Sequence, residues 1–130
     1  YVHDGTIGAM GLLSSETDFV AKNEEFGALA REIAMQVAAG NPTYLSDSEI
    51  PQDAKDAANA VFAAEVEGKP EEMKAKILEG KLAAYFQSQV LLNQLYIKDD
   101  SKTIKDLLSE ATQKFGERIE ISKFARFSAR

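Results

Sequence analysis

Glu16-Thr17-Asp18-Phe19-Val20-Ala21-Lys22-Asn23 is the stretch where the chain changes its period. Before it, residues 7–15 alternate as a strand does. After it, from Phe26 onward, apolar residues recur at the 3.6-residue spacing of a helix. The stretch is therefore expected to be a strand-to-helix corner, with the acid Asp18 beside a large aromatic, Phe19. Phe19 and Val20 are too apolar for an ordinary exposed loop, so something must cover them. Two readings follow. Either Phe19 tucks into the chain's own core while Thr17 or Asp18 caps a first helical turn, or the corner protrudes and pushes an aromatic wedge into a partner.

On the amino-terminal side of the corner, residues 1–3 read as a short strand and Asp4-Gly5 as a hairpin turn. The two faces of the following strand are Ile7, Ala9, Gly11, Leu13 and Gly8, Met10, Leu12, Ser14. Both carry apolar residues, so the sheet is expected to be covered on both sides. Gly5, Gly8 and Gly11 do not form a phosphate-binding G-x-G-x-x-G, because the spacing is wrong and they precede and occupy a strand instead of opening a helix.

On the carboxyl-terminal side, Asn23 is a suitable N-cap and Glu24 and Glu25 suit the positive end of a helix dipole. Phe26, Leu29, Ala30, Ile33, Ala34 and Val37 mark the buried stripe, and Gly40 is expected to end the helix as its C′ residue, with Pro42 soon after. Residues 43–50 read as a loop. Pro51 at a first helical position opens a helix with the stripe Ala54, Ala58, Val61, Phe62, Val66. Gly68-Lys69-Pro70 breaks it, and a third helix carries Met73, Ile77, Leu78, Leu82 and Tyr85. The pair, at about 51–86, is expected to fold back as an antiparallel hairpin that partly projects, since many of its charges must face water.

Residues 90–92 and 95–97 are apolar segments leading away from this hairpin. Thr103 with Asp106 three residues on resembles a capping box. A last helix follows, with Ile104, Leu107, Leu108, Ala111 and Phe115 inward and Gly116 as its stop. Ile119 and Ile121 then alternate as in a strand. Phe124 and Phe127 lie an odd number apart, so they face opposite sides or flank a bulge. The fold class is α+β: a three-stranded antiparallel sheet in the order strand, strand, helices, strand, packed on helices, with the helical hairpin inserted. One set of helices does not bury both faces of such a sheet, and a two-fold mate is the simplest cover for the second.

Composition narrows the function. The chain of 130 residues is long enough to bury a core as one domain. It has no cysteine, and its single histidine is His3, so disulfides, thiolate metal sites and His-rich metal sites are excluded. A net charge of -6 argues against a phosphate-backbone binder. No apolar run approaches the roughly 20 residues of a membrane helix. The chain opens at Tyr1 in an extended pattern without an initiator Met, which leads us to expect a fragment or a processed form. No catalytic constellation is present. A Ser–His–Asp triad would have to use His3, and the 21 Asp and Glu residues fall mostly at helix starts and on solvent faces. Neither a calcium loop nor a Walker sequence occurs. The residues describe a module that acts by binding, not an enzyme.

Thr17-Asp18-Phe19-Val20-Ala21-Lys22-Asn23 closely resembles the signature of elongation factor Ts, the exchange factor of bacterial and organellar elongation factor Tu. The likeness continues through Gly5-Thr6-Ile7-Gly8, Glu67-Gly68-Lys69-Pro70, Leu78-Glu79-Gly80-Lys81-Leu82, Ser101-Lys102-Thr103-Ile104 and Arg126-Phe127, and so spans residues 1–130. Ser14-Ser15 stands where the family often has Asn-Cys, and Gln94-Leu95-Tyr96-Ile97 replaces a typical Gln-Pro-Phe-Val. The resemblance leads us to expect a chain without the family's amino-terminal ubiquitin-associated-like module and with one core repeat where longer members carry two. The resemblance implies a core, dimerisation domain that forms a homodimer, thereby rebuilding a two-repeat core, and that binds elongation factor Tu through Thr17, Asp18, Phe19, Val20 and Asn23. Asp18 and Phe19 would enter between two helices of the GTPase domain, disturb its magnesium site and release GDP. The resemblance implies no cofactor, metal, nucleic acid or membrane for the chain itself, and a cytoplasmic or organellar setting. The other class of function is a dimerisation or scaffold domain without exchange activity.

Overall fold

The computed structural model describes residues Tyr1–Arg130, and its first elements are β1 (Val2–His3), β2 (Ile7–Ser14), α1 (Asp18–Ala21) and α2 (Glu24–Gly40). Asp4 and Gly5 both take positive φ, 50° and 67°, and the Thr6 amide donates to the His3 carbonyl at 3.0 Å. This is the two-residue turn whose twist matches that of the flanking strands. The chain continues through α3 (Gln52–Glu65), α4 (Glu71–Gln87), β3 (Leu95–Tyr96), β4 (Asp99–Thr103), α5 (Ile104–Phe115) and β5 (Glu120–Ser128), with 3-10 turns at Asp47–Glu49 and Leu91–Asn93. The main sheet has the order β1-β2-β5, antiparallel throughout, as the α+β reading expects.

The register of the main sheet explains the odd spacing of the two phenylalanines. Leu12 pairs with Lys123 but Leu13 with Ile121, so Ser122 is an extra residue in β5. Across this bulge the inward set changes from Ile119 and Ile121 to Phe124 and Arg126. Phe124 lies opposite Gly11 on the helix side, while Phe127 lies opposite Gly8 on the other. α2 packs along the helix side. A Cβ on Gly11 would stand 3.4 Å from Ile33 Cγ2, so the glycine lets the helix settle closely on β2. Ile33, Val37, Leu91 and Ile104 are sealed in this core, each such side chain contributing about 1.5–3 kcal/mol. Within one chain only this face is covered. Val2, Met10, Leu12 and Phe127 lie together on the opposite face and are 68%, 73%, 50% and 75% exposed.

Three details depart from the sequence reading. Gly40 is the last residue of α2, not its C′ residue, and Asn41 takes the left-handed conformation at φ 45°. Gly40 is small for a different reason: a Cβ there would fall 2.3 Å from Gln94 Oε1. Pro51 stands just before α3 as its cap rather than inside its first turn. Residues 95–103 form a second, two-stranded sheet that the pattern does not announce, since Asp99-Asp100-Ser101-Lys102-Thr103 has no apolar alternation.

α3 and α4 form the expected antiparallel hairpin. Gly68 closes its turn at φ 89°, Phe62 meets Tyr85 edge-on at 5.5 Å, and Lys81 pairs with Glu65 at 3.1 Å. α3 buries only Ala58, and α4 has no buried residue. The base of the hairpin is tied down by residues 43–45: the Thr43 and Tyr44 amides donate to the Gln89 carbonyl at 2.8 and 2.9 Å.

Two buried glutamines make the joint between hairpin, α2 and the small sheet. Gln36 Nε2 donates to Gln94 Oε1 at 3.0 Å and to the Leu95 carbonyl at 3.1 Å, while its Oε1 accepts from the Ile97 amide at 2.9 Å. Gln94 Nε2 donates to the carbonyls of Gly40 and Ser88 at 3.1 and 2.7 Å. Every polar atom of this joint is satisfied, which is the condition under which buried amides rigidify a core. The α5 capping box is present as read, with Thr103 and Asp106 exchanging backbone bonds, and Gly116 ends that helix at φ 69°.

Candidate functional site

The corner between β2 and α2 is a short, heavily bonded projection. Thr17 has extended backbone at φ -129°, which turns the chain out of the strand, and its Oγ1 accepts from the Val20 amide at 3.4 Å. The Ser15 hydroxyl donates to the Thr17 carbonyl at 2.9 Å. α1 is a single turn. It ends when the Asn23 amide donates to the Val20 carbonyl at 3.0 Å, and Asn23 Oδ1 then caps α2 by accepting from the Glu25 amide at 2.8 Å. Two caps within seven residues set the angle between β2 and α2.

The five residues singled out from sequence divide by role. Phe19 is 86% exposed, the most exposed large apolar side chain of the chain, and Asp18 is exposed beside it. The reading in which Phe19 sits in its own core is thereby removed. Val20 is the opposite case: only 6% exposed, it belongs to the main core cluster and anchors the corner rather than offering it to a partner. Thr17 and Asn23 spend their side chains on capping. Asp18 and Phe19 are therefore the outward pair.

The sequence reading missed the residues that brace this pair. Glu117, just after the Gly116 stop, accepts from the amides of Glu16 and Thr17 at 3.1 and 3.0 Å and from the Thr17 hydroxyl at 2.7 Å. In return, Glu16 Oε2 accepts from the Arg118 amide at 3.2 Å. No sequence signal links positions about a hundred residues apart; only the β2–β5 pairing brings them together. Lys114 also reaches Glu25 at 2.7 Å, tying α5 to the start of α2.

A second polar cluster joins α2 to the small sheet. Glu32 accepts from Lys98 Nζ and from the Tyr96 hydroxyl, both at 2.7 Å. The Lys98 hydrogen bond, with help from Tyr96, holds the Glu32 carboxyl below its usual range against the opposing effect of burial. Burial and the bond to Glu32 push the Tyr96 hydroxyl up to about 12. The Asp99 carboxyl is lowered by the Ser101 hydroxyl and amide. No group of His, Asp and Glu residues is arranged to hold a metal, and no helix is long and apolar enough to cross a membrane.

Comparison with known proteins gives one consistent result. A family model described as Elongation factor TS matches residues 27–130. Elongation factor Ts of Thermodesulfovibrio yellowstonii is 46% identical over 128 residues, covering 98% of this chain and 64% of the relative. Those of Caldanaerobacter subterraneus subsp. tengcongensis and Thermotoga neapolitana are 44% and 42% identical, each over 98% of this chain and 65% of the relative. The chain thus spans a little under two thirds of the length of these curated relatives. The corner precedes the stretch matched by the family model, but the pairwise matches take it in.

Proposed function

The chain belongs to the elongation factor Ts family, and on that premise we propose that it is a guanine-nucleotide exchange factor of translation elongation, acting on elongation factor Tu. The observation that carries the reading is Phe19, 86% exposed at the tip of a corner whose backbone is fixed by caps on both sides. A partner that buries this ring gains about 1.5–3 kcal/mol. That is enough to displace packed helices slightly and loosen a nucleotide bound beside them. Asp18 contributes charge at the same point, and Val20, Thr17 and Asn23 keep the pair in place. The process is a negative coupling between two ligands of one GTPase, so nucleotide weakens the factor by the same ratio by which the factor weakens nucleotide. No bond is made or broken by the chain.

Assembly forms the second half of the proposal. The patch of Val2, Met10, Leu12 and Phe127 suits a second copy placed sheet to sheet about a two-fold axis, where one surface meets itself. The same patch supports the alternative of a dimerisation scaffold without exchange. Release of labelled GDP from elongation factor Tu separates the two. Faster release by the chain, slowed in Phe19→Ala without a change in melting temperature, is the expected result. Release that Phe19→Ala leaves unchanged would overturn the wedge.

A further inference from the structure

We propose that Glu117 is a positioning residue for the exchange corner: its carboxylate holds the backbone conformation that turns Phe19 outward. The inference rests on the exchange reading above. Phe19 has no burial of its own to aim it, and α1 is only four residues long, far too short to be stable alone. Its direction comes from the burial of Val20 on one side and from the entry into the turn on the other. That entry is where Glu117 acts.

The backbone ladder between β2 and β5 ends at the pair Ser14 and Glu120. Beyond it, side chains continue the pairing. Glu117 Oε1 takes the successive amides of Glu16 and Thr17, and Oε2 takes the Thr17 hydroxyl. Because that hydroxyl proton is committed to Glu117, the oxygen presents a lone pair to the Val20 amide and caps α1. One ionised group therefore sets both the bend and the cap, through charge-assisted bonds about twice as strong as neutral ones. Glu16 completes a reciprocal clasp by accepting from the Arg118 amide. Glu117 bonds the backbone and hydroxyl of residues 16 and 17, so it acts through the conformation that carries Phe19.

The test is a cycle of Glu117→Ala, Phe19→Ala and the double variant, read as the concentration giving half-maximal GDP release, with melting temperature followed alongside. Glu117→Ala is expected to raise that concentration about tenfold, the order of one lost charge-assisted bond. Glu117→Gln, which keeps one acceptor for the amides, is expected to recover part of the loss. Once Phe19 is already alanine, Glu117→Ala is expected to add less than about twofold, because the two act as a unit. A full tenfold loss in both backgrounds, or no loss in either, overturns the proposal. A parallel measurement does not depend on exchange: a tryptophan probe placed by Phe19→Trp should show faster anisotropy decay when Glu117 is replaced. If Phe19→Ala leaves GDP release unchanged, the wedge reading fails, and this probe still decides whether Glu117 holds the corner. If Glu117→Ala does not fold, Glu117→Gln carries both measurements, and wild-type values in both would overturn the proposal.

Discussion

α2 and α4 are both 17 residues long, yet α2 seals Phe26, Ile33, Ala34, Gln36, Val37 and Ala38, and α4 seals nothing. The difference lies in how their apolar residues are used. Those of α2 face the sheet and α5, and the helix also carries attachments to the corner, to α5 and to the hairpin base. Its N-cap follows the corner, Glu25 reaches α5, and Gln36 holds the base of the hairpin. The apolar side chains of α4 meet mainly α3 and stay partly wet. One helix is therefore a platform and the other an arm, and mutations in the two should have sharply different costs.

The largest contrast is expected from truncation. Ile33→Ala in α2 should cost about 2–5 kcal/mol in denaturant unfolding, since a sealed site 1% exposed cannot collapse fully around the cavity. Met73→Ala in α4, at 53% exposure, should stay within about 0.5 kcal/mol. Equal losses from the two would erase the distinction between platform and arm.

Glycine substitutions should differ in sign. Gly40→Ala drives a Cβ to 2.3 Å from Gln94 Oε1, and Gln94 is held at both ends of its amide. A loss of about 1–3 kcal/mol is expected. Gly80→Ala in α4 meets nothing within 4 Å and should stabilise by about 0.5–1 kcal/mol through helix propensity. If Gly40→Ala were also stabilising, the joint would be softer than its hydrogen bonds indicate.

Shortening the arm should matter less than altering the platform. Symmetric deletion around Gly68-Lys69-Pro70 is expected to leave the melting temperature of the core within about 4 °C, the shift produced by roughly 1 kcal/mol in a domain of this size. A large drop would place the hairpin in the core.

The smallest effect is a pH dependence at the outer edge of α2. The folded pKa of Glu32 lies below its unfolded value, so its contribution is present above the unfolded pKa and fades as pH falls through the folded one. Tyr96 is shifted upward, so its contribution is intact below the unfolded value and is lost as pH rises toward about 12. Stability should therefore decline at both extremes. Glu32→Gln should flatten the acid limb, by a modest amount because Lys98 is half exposed. An unaltered acid limb in that variant would mean that other carboxylates govern it.

Much of this molecule is local and was legible in the chain. The Asp4-Gly5 turn, the Asn23 and Thr103 caps, the Gly116 stop, the α2 and α5 stripes and the hairpin break each depend on residues within a few positions of one another. Backbone sterics and short-range hydrogen bonds dictate such features without help from the rest of the fold. The corner was legible in the same way, as a change of period carrying an aromatic, and the likeness to elongation factor Ts was carried by its seven consecutive residues and by five further short stretches. Tertiary structure decided what depends on distant groups meeting. It placed Val20 inside and Phe19 outside, although the two are adjacent and similarly apolar. It turned Gly40 from a presumed cap into clearance for Gln94, and it folded a polar segment into a second sheet because Gln36 and Glu32 hold the near side of it. It also set Glu117 against Thr17 across 100 residues of sequence. A hydrogen bond needs its partners within about 3 Å, and for distant residues only the packed chain fixes which groups come that close.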